Sequence, residues 1–163
     1  MRLFIAIQLS EEMKTSVIGT MHDLKKAGVK GSYVPAQNLH LTLAFIGETR
    51  DVQAVKDAMK TVEFKPFRLA LADAGNFGEV LWIGLKGNQG LSLAARSVRD
   101  ALDAAGIEYD RKKFTPHITI VRRASGKLPQ IAVPKGDMMV KKISLMKSEQ
   151  RDGKRIYTEV FSI

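Results

Sequence analysis

The chain has 163 residues, is 45% hydrophobic, and carries 26 Lys and Arg against 17 Asp and Glu, for a net charge of +9. That length and apolar content suit a folded domain with a sizeable core and exclude a disordered tail. The absence of cysteine removes disulfide frameworks and thiolate zinc sites, while the basic balance points to a polyanionic partner, nucleic acid or nucleotide, with a merely basic soluble surface as the bland alternative.

In chain order, residues 2–8 form an apolar run that reads as a buried strand. Glu11 and Glu12 follow too soon for a signal peptide or a membrane span. A cytoplasmic protein without a membrane partner is therefore expected. Ser10 is a helix N-cap, with both acids in the first turn, and Met13, Val17, Met21 and Leu24 follow at helical spacing up to Gly28. His22 lies on this helix as a surface or boundary residue. Val34-Pro35 breaks the chain before a strand from Asn38 to Phe45, ended by Gly47. Thr49 to Val62 reads as a second helix, with Val52, Val55, Met59 and Val62 inward. Phe67–Asp73 and Glu79–Lys86 form a hairpin around the glycine-containing segment 74–78. A third helix opens at Gly87-Asn88 and closes at Gly106. A strand then covers Phe114 to Val121, residues 124–136 form a loop, Met138–Met146 a strand, and Arg155–Phe161 a last strand after a turn at Gly153. Frequent hairpins among alternating strands and helices favour α+β over a doubly wound sheet.

Two runs carry the chemistry. Asn38-Leu39-His40-Leu41-Thr42-Leu43 and Pro116-His117-Ile118-Thr119-Ile120 each set a histidine two residues before a threonine. Strand side chains alternate faces, so His40 and Thr42 share one face, as do His117 and Thr119. The two runs recur half a chain apart with no linker between them. One domain over 1–163, with two lobes and a cleft between them, is expected. Two imidazoles on opposite walls suit paired acid and base catalysis, because a free histidine titrates near pH ~6.5. In-line displacement at phosphorus asks for that arrangement, and threonine hydroxyls with a guanidinium can hold the phosphate oxygens. The bland alternative is two core histidines that happen to precede threonines. Neither run has an acidic neighbour for zinc, and no nucleophile elbow or P-loop occurs. No metal or cofactor is expected.

These motifs resemble the 2H phosphoesterase superfamily, and more closely its RNA 2′,3′-cyclic phosphodiesterase branch, historically named 2′-5′ RNA ligases. The likeness runs from Arg2-Leu3-Phe4-Ile5-Ala6-Ile7 through both His-x-Thr runs, Gly75-Asn76-Phe77 and Val80-Leu81-Trp82-Ile83-Gly84 to Arg122, Leu145, Ser148, Gly153 and Tyr157. It implies a bilobal α+β fold of two antiparallel sheets related by a pseudo-twofold, with helices outside and a central cleft. It implies hydrolysis of RNA or nucleotide 2′,3′-cyclic phosphate ends to 2′-phosphates, with 2′-5′ joining as a side activity. His40 would be the acid toward the departing 3′-oxygen and His117 the base toward water, with Thr42, Thr119 and Arg122 binding phosphate. Strict alternation from His117 selects Arg123 instead; the family pattern selects Arg122, and Arg122 is taken. Tyr33 and Phe45 are candidates for base contact by type alone, although Phe45 has the parity of the buried face, and Trp82 reads as core. RNA ends or cyclic nucleotides are the expected partners, with no obligate protein partner and a monomer, since the duplication builds the cleft within one chain. The competing reading is a noncatalytic module that grips RNA ends, but constant grip is better served by lysine and arginine than by groups titrating near neutrality.

Overall fold

The computed structural model describes residues 1–163. The elements are β1 (Arg2–Gln8), α1 (Glu11–Lys26), β2 (Lys30–Tyr33), a 3₁₀ turn (Ala36–Asn38), β3 (His40–Glu48), α2 (Val52–Lys60), β4 (Phe67–Phe77), β5 (Val80–Leu85), α3 (Gln89–Ala104), β6 (His117–Ser125), β7 (Asp137–Val140), β8 (Ser144–Arg151) and β9 (Lys154–Ser162). They form two antiparallel sheets, ordered β3-β1-β8-β9 and β2-β6-β5-β4-β7, as the α+β reading expects. No helix is long and apolar enough to cross a membrane.

The helices start where their caps allow. Ser10, Asp51 and Asn88 each accept a hydrogen bond from the backbone N–H three residues on, satisfying a donor that the helix itself leaves free. A single cluster of 32 buried residues fills the space between the sheets, with Leu3, Ile5, Leu41, Leu43 and Leu145 from one and Leu69, Leu81, Ile83, Ile118 and Ile120 from the other. Burial of side chains this size stabilises by roughly 1.5–3 kcal/mol each before conformational entropy is charged.

The internal duplication is visible in the register. β1–α1–β3 and β5–α3–β6 are both strand–helix–strand units whose outer strands pair antiparallel. His40 faces Gln8 and Thr42 faces Ala6; His117 faces Gly84 and Thr119 faces Trp82. Each motif strand then carries one extra residue at the third position after its histidine, Leu43 in β3 and Ile120 in β6. The bulge carbonyls are not wasted: Arg99 Nε donates to Leu43 O at 3.1 Å, and Val34 N–H donates to Ile120 O at 2.9 Å.

Several expectations need correction. Met138–Met146 is two strands in different sheets, because the exposed Lys141-Lys142 pair interrupts the run and the chain crosses over there. β2 is a strand that no local pattern signals, being four residues long and without alternation. The hairpin between β4 and β5 turns at Gly78-Glu79 only, with Gly78 at φ 58°, where a side chain would be strained. The second helix is shorter than read, Val52–Lys60, and β6 begins at His117 rather than Phe114.

Candidate active site

β3 and β6 lie against each other where the two sheets meet. That junction brings the two motifs together. His40 Nδ1 lies 2.7 Å from the Asn38 carbonyl and His117 Nδ1 lies 2.6 Å from the Thr115 carbonyl. A carbonyl only accepts, so both rings carry their proton on Nδ1 when neutral and present a bare Nε2. The same i−2 anchor on both strands is a consequence of the repeat. His40 Nε2 accepts from the Thr42 hydroxyl at 2.8 Å.

The surroundings of the two rings differ. His40 is enclosed by aromatics, with Phe4 at 4.8 Å and Tyr157 edge-on at 5.3 Å and 87°. Burial holds its pKa below the usual imidazole value; the Asn38 carbonyl opposes this by favouring the protonated ring, and the positive charge of Arg122 and of His117 adds to the lowering. Both of those groups are therefore close enough to act on His40 across the cleft. His117 is half-exposed, with Phe77 edge-on at 5.2 Å and 86° and Trp82 at 6.3 Å.

The bulges decide which later residues join the site. After Ile120 the alternation of β6 slips by one, so Ile120 and Val121 are both fully buried and Arg122 returns to the side of His117 and Thr119. The parity argument for Arg123 fails for this reason, and Arg123 sits in the left-handed region at φ 51°. The same slip in β3 buries Leu43 and Ala44 and turns Phe45 out of the main core. Phe45 instead packs, partly buried, against Phe4, Ala6 and Met146 on the His40 face, so it still packs on buried hydrophobic residues, but on the opposite face from the one parity selects. Trp82 is also not core. It pairs with Thr119 on the His117 face and lies over Gly75, where an added Cβ would meet Trp82 Cζ2 at 2.6 Å. Tyr33 is a poor candidate for base contact: it pairs with buried Val121, packs on the main core and donates its hydroxyl to Val29 O. Thr42 and Thr119 are half-buried on the cleft walls beside their histidines, and His22 is exposed on α1.

Sequence reasoning missed Asn38. Its side chain is 5% exposed and its amide donates to the Arg155 carbonyl of β9 at 3.0 Å. The sheet β3-β1-β8-β9 therefore curls until the turn before β3 meets β9, which carries Tyr157 back to His40. The only hint in sequence is a polar residue two before the histidine.

A profile of the 2′-5′ RNA ligase superfamily matches residues 14–152. A protein of Geobacillus stearothermophilus named RNA 2′,3′-cyclic phosphodiesterase is 35% identical over 135 residues, 77% of this chain and 43% of that protein. An Archaeoglobus fulgidus protein of the same name is 33% identical over 140 residues, 81% of this chain and 77% of that one. The crystal structure of apo E. coli LigT superposes with a TM-score of 0.85 at 30% identity, covering 99% of this chain and 95% of that one, and the same protein is also known in complex with 3′-AMP and with phosphate. The chain belongs to the 2′-5′ RNA ligase superfamily of 2H phosphoesterases.

Proposed function

We propose that this chain hydrolyses the 2′,3′-cyclic phosphate of RNA ends or nucleotides to a 2′-phosphate, with His40 and His117 as its acid and base. The observation that carries the reading is the matched pair of Nδ1-anchored imidazoles on strands that meet at one cleft, each ring leaving Nε2 for proton transfer, that of His117 unpartnered and that of His40 bonded only by the Thr42 hydroxyl. His117 Nε2 takes a proton from water. The water oxygen attacks phosphorus opposite the 3′-oxygen, the P–O3′ bond breaks, and His40 gives its proton to that oxygen. The phosphate stays on the 2′-oxygen. Thr42, Thr119 and Arg122 hold the non-bridging oxygens, where charge gathers in the transition state.

Burial lowers the His40 pKa and so favours the neutral ring before substrate binds. An arriving phosphate anion favours the imidazolium and so loads the acid when substrate binds. With the 5′-hydroxyl of a second RNA end in the place of water, the same displacement forms a 5′-O–P bond as P–O3′ breaks and gives a 2′-5′ bond as a side activity. No step calls for a metal. Residues 1–163 act as one catalytic domain, supported by the single core shared between the sheets. The cleft needs no second chain, which supports a monomer. The test is incubation with a 2′,3′-cyclic mononucleotide in EDTA, with the product resolved as 2′- or 3′-phosphate. A 2′-phosphate supports the reading; no turnover, turnover abolished by EDTA, or a 3′-phosphate overturns it.

A further inference from the structure

The arginines that form ion pairs are satisfied by nearby acids: Arg68 by Asp137, Arg111 by Asp103 and Arg151 by Glu149. The other seven arginines have no such partner, and of these Arg2, Arg122 and Arg155 stand on the strands that carry the site. Arg122 belongs to the phosphate site above, but Arg2 and Arg155 do not. They lie further along the curled sheet, on the face that carries His40. Register fixes this placement: Arg2 faces Ser148 and Ser148 faces Tyr157 across β1, β8 and β9, in one row. Arg2 is held 4.9 Å above the ring of Phe45, which packs on that face. Arg155 Nη1 donates to Ser148 Oγ at 3.2 Å. Glu48, which faces Arg2, is bound instead by the α-amino group of Met1 at 3.1 Å. Two guanidiniums thus flank one hydroxyl with no bound acid.

We propose that Arg2, Ser148 and Arg155 form a second phosphate subsite, which grips the phosphodiester backbone of an RNA chain upstream of its cyclic end. This rests on the reading that the cleft acts on 2′,3′-cyclic phosphates, and it makes an oligoribonucleotide the preferred substrate over a mononucleotide. The His40 ring lies 4.8 Å from that of Phe4, and from Phe4 back to Arg2 β1 covers roughly 7 Å at ~3.3 Å per residue, so the subsite lies within reach of the first nucleotides upstream of the cyclic end. Between the two phosphate sites lie the rings of Phe4, Phe45 and Tyr157. Alternating cationic and aromatic positions are the chemistry by which single-stranded nucleic acid is held with little reading of sequence. A groove that leads straight off the reacting phosphorus favours the substrate's own backbone over an unrelated acidic protein.

The experiment compares kcat/KM for a cyclic mononucleotide and for a tetranucleotide ending in a 2′,3′-cyclic phosphate, across a range of salt. For the wild-type chain the tetranucleotide is the better substrate, and its logarithmic salt slope is steeper by roughly 1.4, at ~0.7 per contact on a single strand. In R2M/R155M the ratio of tetranucleotide to mononucleotide kcat/KM falls roughly fivefold to tenfold, as expected for two solvent-screened charge contacts, and the extra salt slope disappears. Methionine keeps the stem over Phe45 and spares its packing. Equal salt slopes for the two substrates in the wild-type chain, or an unchanged ratio in the folded double variant, overturn the subsite while leaving the catalytic reading in place. Failure of the wild-type chain on the mononucleotide and the tetranucleotide alike counts against both.

Discussion

Replacing Asn38 by alanine tests how the site is held together. The side-chain amide is buried and closes the curled sheet by donating to the Arg155 carbonyl at 3.0 Å. Removing it loses this part-buried hydrogen bond, at a cost of about 1 kcal/mol. For a domain of this size each kcal/mol lowers Tm by roughly 2–4 °C, so a fall of roughly 2–4 °C is expected by calorimetry. The backbone carbonyl of Asn38 also fixes His40 Nδ1 at 2.7 Å. Loosening the turn frees the imidazole to tilt, and kcat on a cyclic nucleotide should drop roughly tenfold to hundredfold. That carbonyl bond raises the His40 pKa against the effect of burial, so the NMR titration of His40 should move lower still in the variant. Asn38→Asp keeps the shape but offers an acceptor to an acceptor, and should cost at least as much. A Tm within about one degree of wild type, with an unmoved His40 titration, would refute the reasoning.

Other expectations follow from the same geometry. Because folding lowers the His40 pKa, the unfolded chain binds more protons between that lowered value and about pH 6.5; stability is therefore full above about pH 6.5 and declines as pH falls through it. Urea titrations of wild type and His40→Asn at several pH values measure this, and parallel pH dependence in the two would contradict it. Arg122→Met should lower kcat/KM by roughly ten- to hundredfold through loss of a charge-assisted phosphate contact, while Arg123→Gly should raise stability by about 1 kcal/mol by relieving a left-handed residue; the reverse pattern would restore the simple parity argument. Gly75→Ala drives a methyl into the indole of Trp82, the sole tryptophan, and should cost about 1–3 kcal/mol with a shifted fluorescence spectrum. An unchanged spectrum and melting temperature would place that ring elsewhere.

How much of this was legible in the sequence depends on what local pattern can encode. The period of two in His40-Leu41-Thr42 and His117-Ile118-Thr119 fixed both the strands and the shared faces, and Ser10, Gly28 and Gly106 marked helix ends. Resemblance supplied Arg122 against the parity count. What stayed hidden was every feature set by a neighbouring strand. The bulges at Leu43 and Ile120 exist only in the pairing with β1 and β5, and they alone move Phe45 and Arg122 onto the cleft. Trp82 looked like core because nothing local says that Gly75 lies beneath its ring. The seam at Asn38 joins residues 117 positions apart, beyond the reach of any periodicity.

The most direct measurement is turnover of a 2′,3′-cyclic nucleotide by His40→Asn and His117→Asn, each first checked for a wild-type fold. Each variant should lose on the order of 10²–10⁴ in kcat, the usual worth of one positioned proton-transfer group. Wild-type rates from either folded variant would contradict the account.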